Sequence, residues 1–221
     1  LGVSLSYLFE TQKSSLLNIT SVELCSAKKL MHLNAVTRRN LELTENIRGG
    51  ASGTLLWALG RPKTPGGRRL LRRFIEEPLY DAGEITRRQN AVREMFSEKI
   101  TRENIIFSLN SVKDISRIMG RIQNATANAK DLIQLRFSLE ALPEIKSYLK
   151  DCKSTLLKNA YNSIDELPDM LCILTDAIAD DPPMNMKDGG YIKDGFNSEL
   201  DELRGISGSG NATLEKLTVK E

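Results

Sequence analysis

The residues in this chain best placed to do chemistry are arginines. Arg68, Arg69, Arg72 and Arg73 fall at spacings that put all four on one face of a helix, and Arg61 and Lys63 stand just upstream. A group of cations packed into about three helical turns suits the phosphates of a nucleic-acid backbone. It suits equally well the acidic helices of its own protein, or solvent. Basic residues in the later half of a helix are also favoured by the helix macrodipole. Spacing alone leaves the two readings open. No aromatic residues interleave with the patch, so stacking on single-stranded bases is not expected.

The other candidates carry less. Gly49–Thr54 reads GGASGT but lacks the spacing and the lysine of a phosphate loop, and it follows a helical pattern rather than a strand, so it reads as a turn between helices. The single histidine, His32, sits between Met31 and Leu33 with no second ligand or nucleophile near it, which is the setting of a packing or surface residue. Glu76-Glu77 and Asp180-Asp181 are adjacent in sequence, so each pair splits across faces instead of forming a dyad. No calcium-loop pattern is present. Cys25, Cys152 and Cys172 are widely spaced, without a CxxC pair, and point to a reducing cytoplasm rather than to zinc or disulfides. The glycosylation sequons at Asn18, Asn124 and Asn211 read as chance matches in that setting. We expect no catalytic residues, no metal and no cofactor in this chain.

The elements that position the arginines are helical. The chain is 40% hydrophobic and 27% charged, with only 5% aromatic residues, a balance that fits packed helices better than a sandwich of sheets. A net charge of +2 gives no global nucleic-acid signature, so any basic partner surface must be local. No apolar run approaches the roughly 18 residues of a membrane span, and the N-terminus lacks a basic region and cleavage site. The chain opens without methionine and closes on a charged helical pattern, LEKLTVKE, from which we expect a piece of a longer protein.

Residues 1–17 read as helix. Val22–Leu24 and Met31–Leu33 read as a small β pair. Asn34 caps a helix expected to run to about Ile47, with Leu41, Leu43 and Ile47 on its apolar stripe and Gly49-Gly50 as its stop. Thr54–Leu59 forms a short helix that Pro62 breaks. Thr64 caps the next, with Pro65 in its first turn and Pro78 at its end. Leu70, Leu71, Phe74 and Ile75 supply its apolar face; if that face is core, Leu71→Ala costs about 2–5 kcal/mol. Asp81 and Glu84 form a capping box for a helix carrying Ile85, Val92 and Phe96. Further helices are expected near 101–109, 113–122 and 129–150, the last kinked or split at Pro143. A second capping box, Ser163 to Glu166, opens a helix with Leu171, Leu174 and Ile178 that Asp180–Pro183 closes. Residues 184–196 read as an irregular hairpin, followed by a helix from about Asn197 with Leu200 and Leu203 on one side, interrupted over Gly205–Asn211. The fold class is mainly α, a multi-helix domain with long helices and at most a few short strands.

Two blocks carry a family resemblance. TRRNLELTENIRGG (37–50), GTLLWAL (53–59), KTPGGRRLLRRFIEEPL (63–79) and EITRRQNAV (84–92) make the first. LPDMLCILTDAIADDPPMNMKDGGYIKDGFNSELDELR (167–204) makes the second, with its proline-rich break and Gly-Gly-x-Ile hairpin. Together they resemble the core (lever) domain, domain III, of the MutS family of DNA mismatch repair proteins. YLFETQKSSLLNI (7–19) resembles the family's passage out of its connector domain, and 98–160 matches only as helical pattern. Phe74 stands where the family usually has tryptophan, and the family's aspartate near Gly60 is missing.

The resemblance implies a division into 1–20, the tail of a connector domain; 21–183, the core; and 184–221, a hairpin and the start of an arm leading to a clamp. It implies a cytoplasmic parent protein that dimerises with a second MutS subunit, binds mismatched double-stranded DNA and a MutL-like partner, and uses ATP and Mg in a domain outside this chain. It carries no catalytic or mismatch-contacting residue onto any position here, and leaves Arg68, Arg69, Arg72 and Arg73 as the candidate DNA-backbone contacts. Two other readings of the same residues are a MutS paralogue acting in recombination and a helical adaptor unrelated to DNA.

Overall fold

The computed structural model describes residues 2–12, 30–183 and 189–206. Among them it is mainly α, with no sheet and only two isolated antiparallel bridges, Leu30 with Leu79 and Ile178 with Ile192. The helices are α1 Gly2–Gln12, α2 Ala35–Asn40, α3 Leu55–Leu59, α4 Pro65–Glu76, α5 Ala82–Ser97, α6 Lys99–Leu109, α7 Ile115–Gln123, α8 Ala129–Glu140, α9 Leu142–Leu149, α10 Thr155–Ser163 and α11 Pro168–Ala177. A further helix, α12, spans 198–206.

The rod α8–α9 is the axis of the core. Pro143 falls in the first turn of α9, where its missing N–H is not needed, and Ala141 joins the two helices while keeping α-type dihedrals. The expected 129–150 helix is therefore split, at Ala141. One side of α8 carries Leu135 and Leu139 against Ile118 of α7 and Leu174 of α11. Its N-terminal end carries Ala129 and Ile133 against Ala177 and Ile178, with Tyr191 and Ile192 packed over them. Along α9, Ala141, Ile145, Leu149 and Cys152 gather Met95 of α5, Ile105 and Leu109 of α6, and Leu157 and Tyr161 of α10. Burying such side chains contributes about 1.5–3 kcal/mol each, so residues of one rod tie α5, α6, α7, α10 and α11 into one body.

Capping explains where most helices start. Asn34, Thr54, Thr64 and Asp81 accept from the backbone N–H groups of Thr37, Trp57, Gly67 and Glu84 at 2.7–3.1 Å. Thr54 is fully buried and also donates to the Ala51 carbonyl at 2.8 Å. Asn128 and Asp131 make a reciprocal capping box at the head of α8.

Several expectations are corrected. The helix from Asn34 ends at Asn40, not Ile47. Glu42 turns left-handed at φ 47, and the Leu43 N–H closes back on the Arg38 carbonyl at 3.2 Å. Leu43 and Glu42 carbonyls instead receive the Leu56 and Leu55 N–H groups, which ties this loop to the head of α3. Leu30 bridges Leu79 and the Met31 N–H donates to Pro78 at 2.8 Å, while Val22–Leu24, the expected partner of Met31–Leu33, lie outside the described residues. The Glu84 carboxylate pairs with Arg87 at 2.6 Å rather than reaching back to Asp81. Val92 and Phe96 are exposed, and α5 buries Ala91 with Met95 instead. On α4, Ile75 is buried and Leu71 half-buried, but Leu70 and Phe74 are exposed.

Ser163 closes α10 rather than opening α11. Its hydroxyl donates to Ala160, Asp165 accepts from the Leu167 N–H, and Glu166 pairs with Lys146 at 3.0 Å. Leu167 takes a left-handed conformation at φ 49 and Pro168 starts the helix. The helix α10 itself was not expected. Residues 177–179 pair with 191–193, and 184–188 of the expected 184–196 hairpin lie outside the described residues. Asn197 caps α12 by accepting from the Leu200 N–H at 3.0 Å.

Candidate nucleic-acid interface

The sequence places four arginines on α4, and the structure sets three of them against carboxylates of the same chain. Arg69 reaches the head of α7, where Nη1 and Nη2 donate to Asp114 at 2.7 and 2.8 Å. Arg72 donates through Nε to Glu76, and Arg73 through Nε to Glu77, both at 2.9 Å and one helical turn on. The adjacent glutamates thus split between two partners, as the helical spacing requires. The Arg68 side chain shows no hydrogen bond or ion pair among the described residues, and the residue is exposed. Arg61 and Lys63 are exposed upstream.

The electrostatics follow from these distances. The Arg69 hydrogen bonds hold the Asp114 carboxyl below the ordinary carboxylate value, and the same bonds raise the Arg69 guanidinium. Asp114 also caps α7 by accepting from the Arg117 N–H at 3.3 Å. Two-pronged guanidinium–carboxylate geometry is directional, so Arg69 ties α4 to the head of α7 and balances its charge there. Arg72 commits only Nε to Glu76, and a guanidinium has five N–H donors in all. Only Arg69 is held by a carboxylate of another helix; Arg72 and Arg73 each meet a glutamate of α4 or its C-cap, so the face carries less unbalanced charge than four unpaired cations.

Three neighbours were not singled out from sequence. Arg38 and Arg39 of α2 line a cleft of about 250 Å³ with Glu45 and Glu76, the partner of Arg72, so the cations beside α4 again meet carboxylates. Arg88 of α5 lies over the Phe74 ring at 3.6 Å, on the other side of α4 from the arginine face. The Arg38-Arg39 doublet is visible in the sequence; its position beside α4 depends on the early turn at Glu42.

The remaining reactive groups are poorly set for catalysis. The Cys152 thiol is pushed up by burial, and the Cys172 thiol is raised by its hydrogen bond to Asp176 at 3.2 Å, which disfavours the thiolate in both. His32 is exposed. Among the described residues no cluster of three His, Cys, Asp or Glu side chains could hold a metal, and no helix is long and apolar enough to cross a membrane.

The sequence is similar to known proteins over nearly its whole length. The family model for MutS domain III matches residues 36–220. The chain is 44% identical over 216 residues to the DNA mismatch repair protein MutS of Clostridium perfringens, covering 97% of this chain and 24% of that protein. It is 42% identical over 221 residues to the MutS of Lachnoclostridium phytofermentans, covering 100% of this chain and 24% of that protein. It is 40% identical over 221 residues to the MutS of Desulforamulus reducens, 100% of this chain and 26% of that protein. The chain thus spans about a quarter of the length of the curated relatives it matches.

Proposed function

The chain belongs to the MutS domain III family, and on that premise we propose that it is the structural core of a DNA mismatch repair protein, a stiff lever joining the parts that read mismatches, clamp DNA and hydrolyse ATP. The observation that carries the lever reading is the α8–α9 rod, whose two ends and flank bind five other helices. Packed helices move as bodies with discrete arrangements, and a rod gripped along its length passes a displacement from one end to the other. The division runs 1–20 connector tail, 21–183 core and 184–221 hairpin and base of the arm. The name of the relatives favours mismatch repair over a recombination role. ATP and Mg act in another domain of the whole cytoplasmic protein, which pairs with a second MutS subunit and a MutL-like partner. Arg68, with Arg72 and Arg73 beside it, supplies the backbone contacts of this part.

The test is a softened rod in the whole protein: Ala141→Gly with Leu142→Gly, at the joint of α8 and α9. Mismatch binding and ATP hydrolysis are expected to persist separately, while the effect of ATP on mismatch affinity falls. Undiminished coupling in a folded variant would overturn the lever role.

A further inference from the structure

Arg136 is a charged side chain buried in the middle of α8, with a side chain only 8% exposed. A cation there is tolerated only with a partner. Its Nη1 donates to Asp180 at 2.9 Å, just past the end of α11, and its Nε faces Glu140 at 3.5 Å. Asp180 also meets Lys193 at 3.4 Å. Asp180 and Lys193 flank the short pairing in which Ala179 N–H donates to Tyr191 at 3.0 Å and Lys193 N–H donates to Ala177 at 2.8 Å. Beneath that pairing, Ile178 and Ala177 are buried on Ala129 and Ile133 of α8.

A second arginine continues the chain of contacts outward. Arg204 of α12 donates from Nη1 to Asp194 at 2.7 Å and from Nη2 to the Ile192 carbonyl at 3.0 Å. From the same helix, Asp201 accepts from the Gly195 N–H at 2.8 Å. Leu203 and Ile206 of α12 are exposed, so polar contacts rather than apolar burial hold much of this helix in place.

We propose that Arg136 and Arg204 form a two-stage latch. Arg136 locks the 177–193 pairing onto α8, and Arg204 locks α12 onto that pairing. The outer stage opens without the inner one; opening the inner stage releases both. The latch is a property of this chain's own contacts and stands apart from the lever role, because it is read by local opening and not by any activity of the whole protein.

The experiment is residue-resolved amide hydrogen exchange on the 221-residue chain and its Arg204→Gln, Asp180→Asn and Arg136→Met variants. In Arg204→Gln, exchange at Gly195 and Leu200 is expected to rise about tenfold, with Ala179 and Lys193 unchanged. In Asp180→Asn, all four amides are expected to rise by roughly that factor, while Ile118 and Leu135 of the core do not. Arg136→Met removes the buried charge as well as its bond and is expected to give the same pattern more weakly; it also decides the matter if Asp180→Asn fails to fold. Unchanged exchange at Ala179 and Lys193 in both inner variants would overturn the inner stage. Release of Ala179 by Arg204→Gln, or a rise at the core amides by the same factor, would overturn the two-stage order.

Discussion

Arg69 of α4 and Asp114 at the head of α7 grip one another through two hydrogen bonds of 2.7 and 2.8 Å, joining helices 45 residues apart in sequence. Asp114 does two things at once, because it also caps α7. Asp114→Ala removes both and is expected to cost about 1 kcal/mol through the lost cap. Asp114→Asn keeps a competent cap and loses only the charge, so its cost should be smaller, and Arg69→Ala, at a half-exposed guanidinium, smaller than Asp114→Ala too. Urea midpoints check the order. Equal losses for Ala and Asn at 114 would remove the cap from the account.

The core of the fold lies along α8–α9 and not on α4, which changes the expected cost of truncating leucines. Leu139 is 3% exposed in the cluster with Ile118 and Leu174, so Leu139→Ala should cost about 2–5 kcal/mol. Leu71 is half-buried, and Leu71→Ala falls below that range, to about 1–2 kcal/mol by its share of buried area. Leu70→Ala, at 49% exposure, should stay within about 0.5 kcal/mol. Thermal melts of the three variants test the ranking, and a Leu71 loss equal to that of Leu139 would return α4 to the core.

Local signals were legible where the partner is local. Asn34, Thr64 and Asp81 cap the helices their spacing implies, because a cap needs only the next three residues, while Thr54, expected as the first residue of its helix, is its cap. The Asn34 helix was overextended because its stop is a left-handed Glu42 rather than the glycine pair downstream, and a left-handed non-glycine has no sequence signature. Ser163-x-x-Glu166 matched a capping box, but Pro168 and the Glu166–Lys146 pair decide that junction. The arginine face was legible as a face. Its partner Asp114 was not, since nothing in α4 indicates which distant helix end will dock on it. The same holds for Arg136, which reads as an ordinary solvated helix residue until Asp180 is folded over it.

Acid should open this fold from its helix junctions. Asp131 is pushed up by burial, but the 2.6 Å bond from Arg121 and the Asn128 N–H outweigh that and leave it below its ordinary 3.8. The Arg136 bond lowers Asp180, and the Arg69 bond lowers Asp114. A carboxyl whose folded pKa is depressed contributes stability that is complete above its unfolded pKa and is lost as pH falls through the folded value. Stability should therefore be flat above about pH 5 and decline below about pH 4. Arg121→Met leaves burial less opposed at Asp131, so its acid transition should move to higher pH. Helical circular dichroism followed against pH reads the shift, and an unmoved transition would dissociate Asp131 from acid unfolding.

The four arginines of α4 should separate into two roles when duplex DNA is offered to the chain. Arg69 is committed to Asp114 through two bonds, whereas the exposed Arg68 side chain shows no partner among the described residues and Arg72 gives Nε to Glu76. Each phosphate neutralised contributes about 0.9 to the steepness with which log affinity falls against log salt. Arg68→Ala with Arg72→Ala should therefore flatten that dependence by up to about two and weaken binding at low salt, without lowering the melting temperature much. Arg69→Ala should do the reverse, lowering stability while leaving the salt dependence near that of the parent chain. The quadruple Arg68/Arg69/Arg72/Arg73→Ala variant combines both losses. If the quadruple variant, still folded, binds as the parent does at every salt concentration, α4 does not touch the backbone, and its arginines serve the packing of this domain alone. A parent chain that shows no duplex binding at low salt leads to the same conclusion, because the field left after three carboxylates pair with three arginines is then too weak to hold a phosphate.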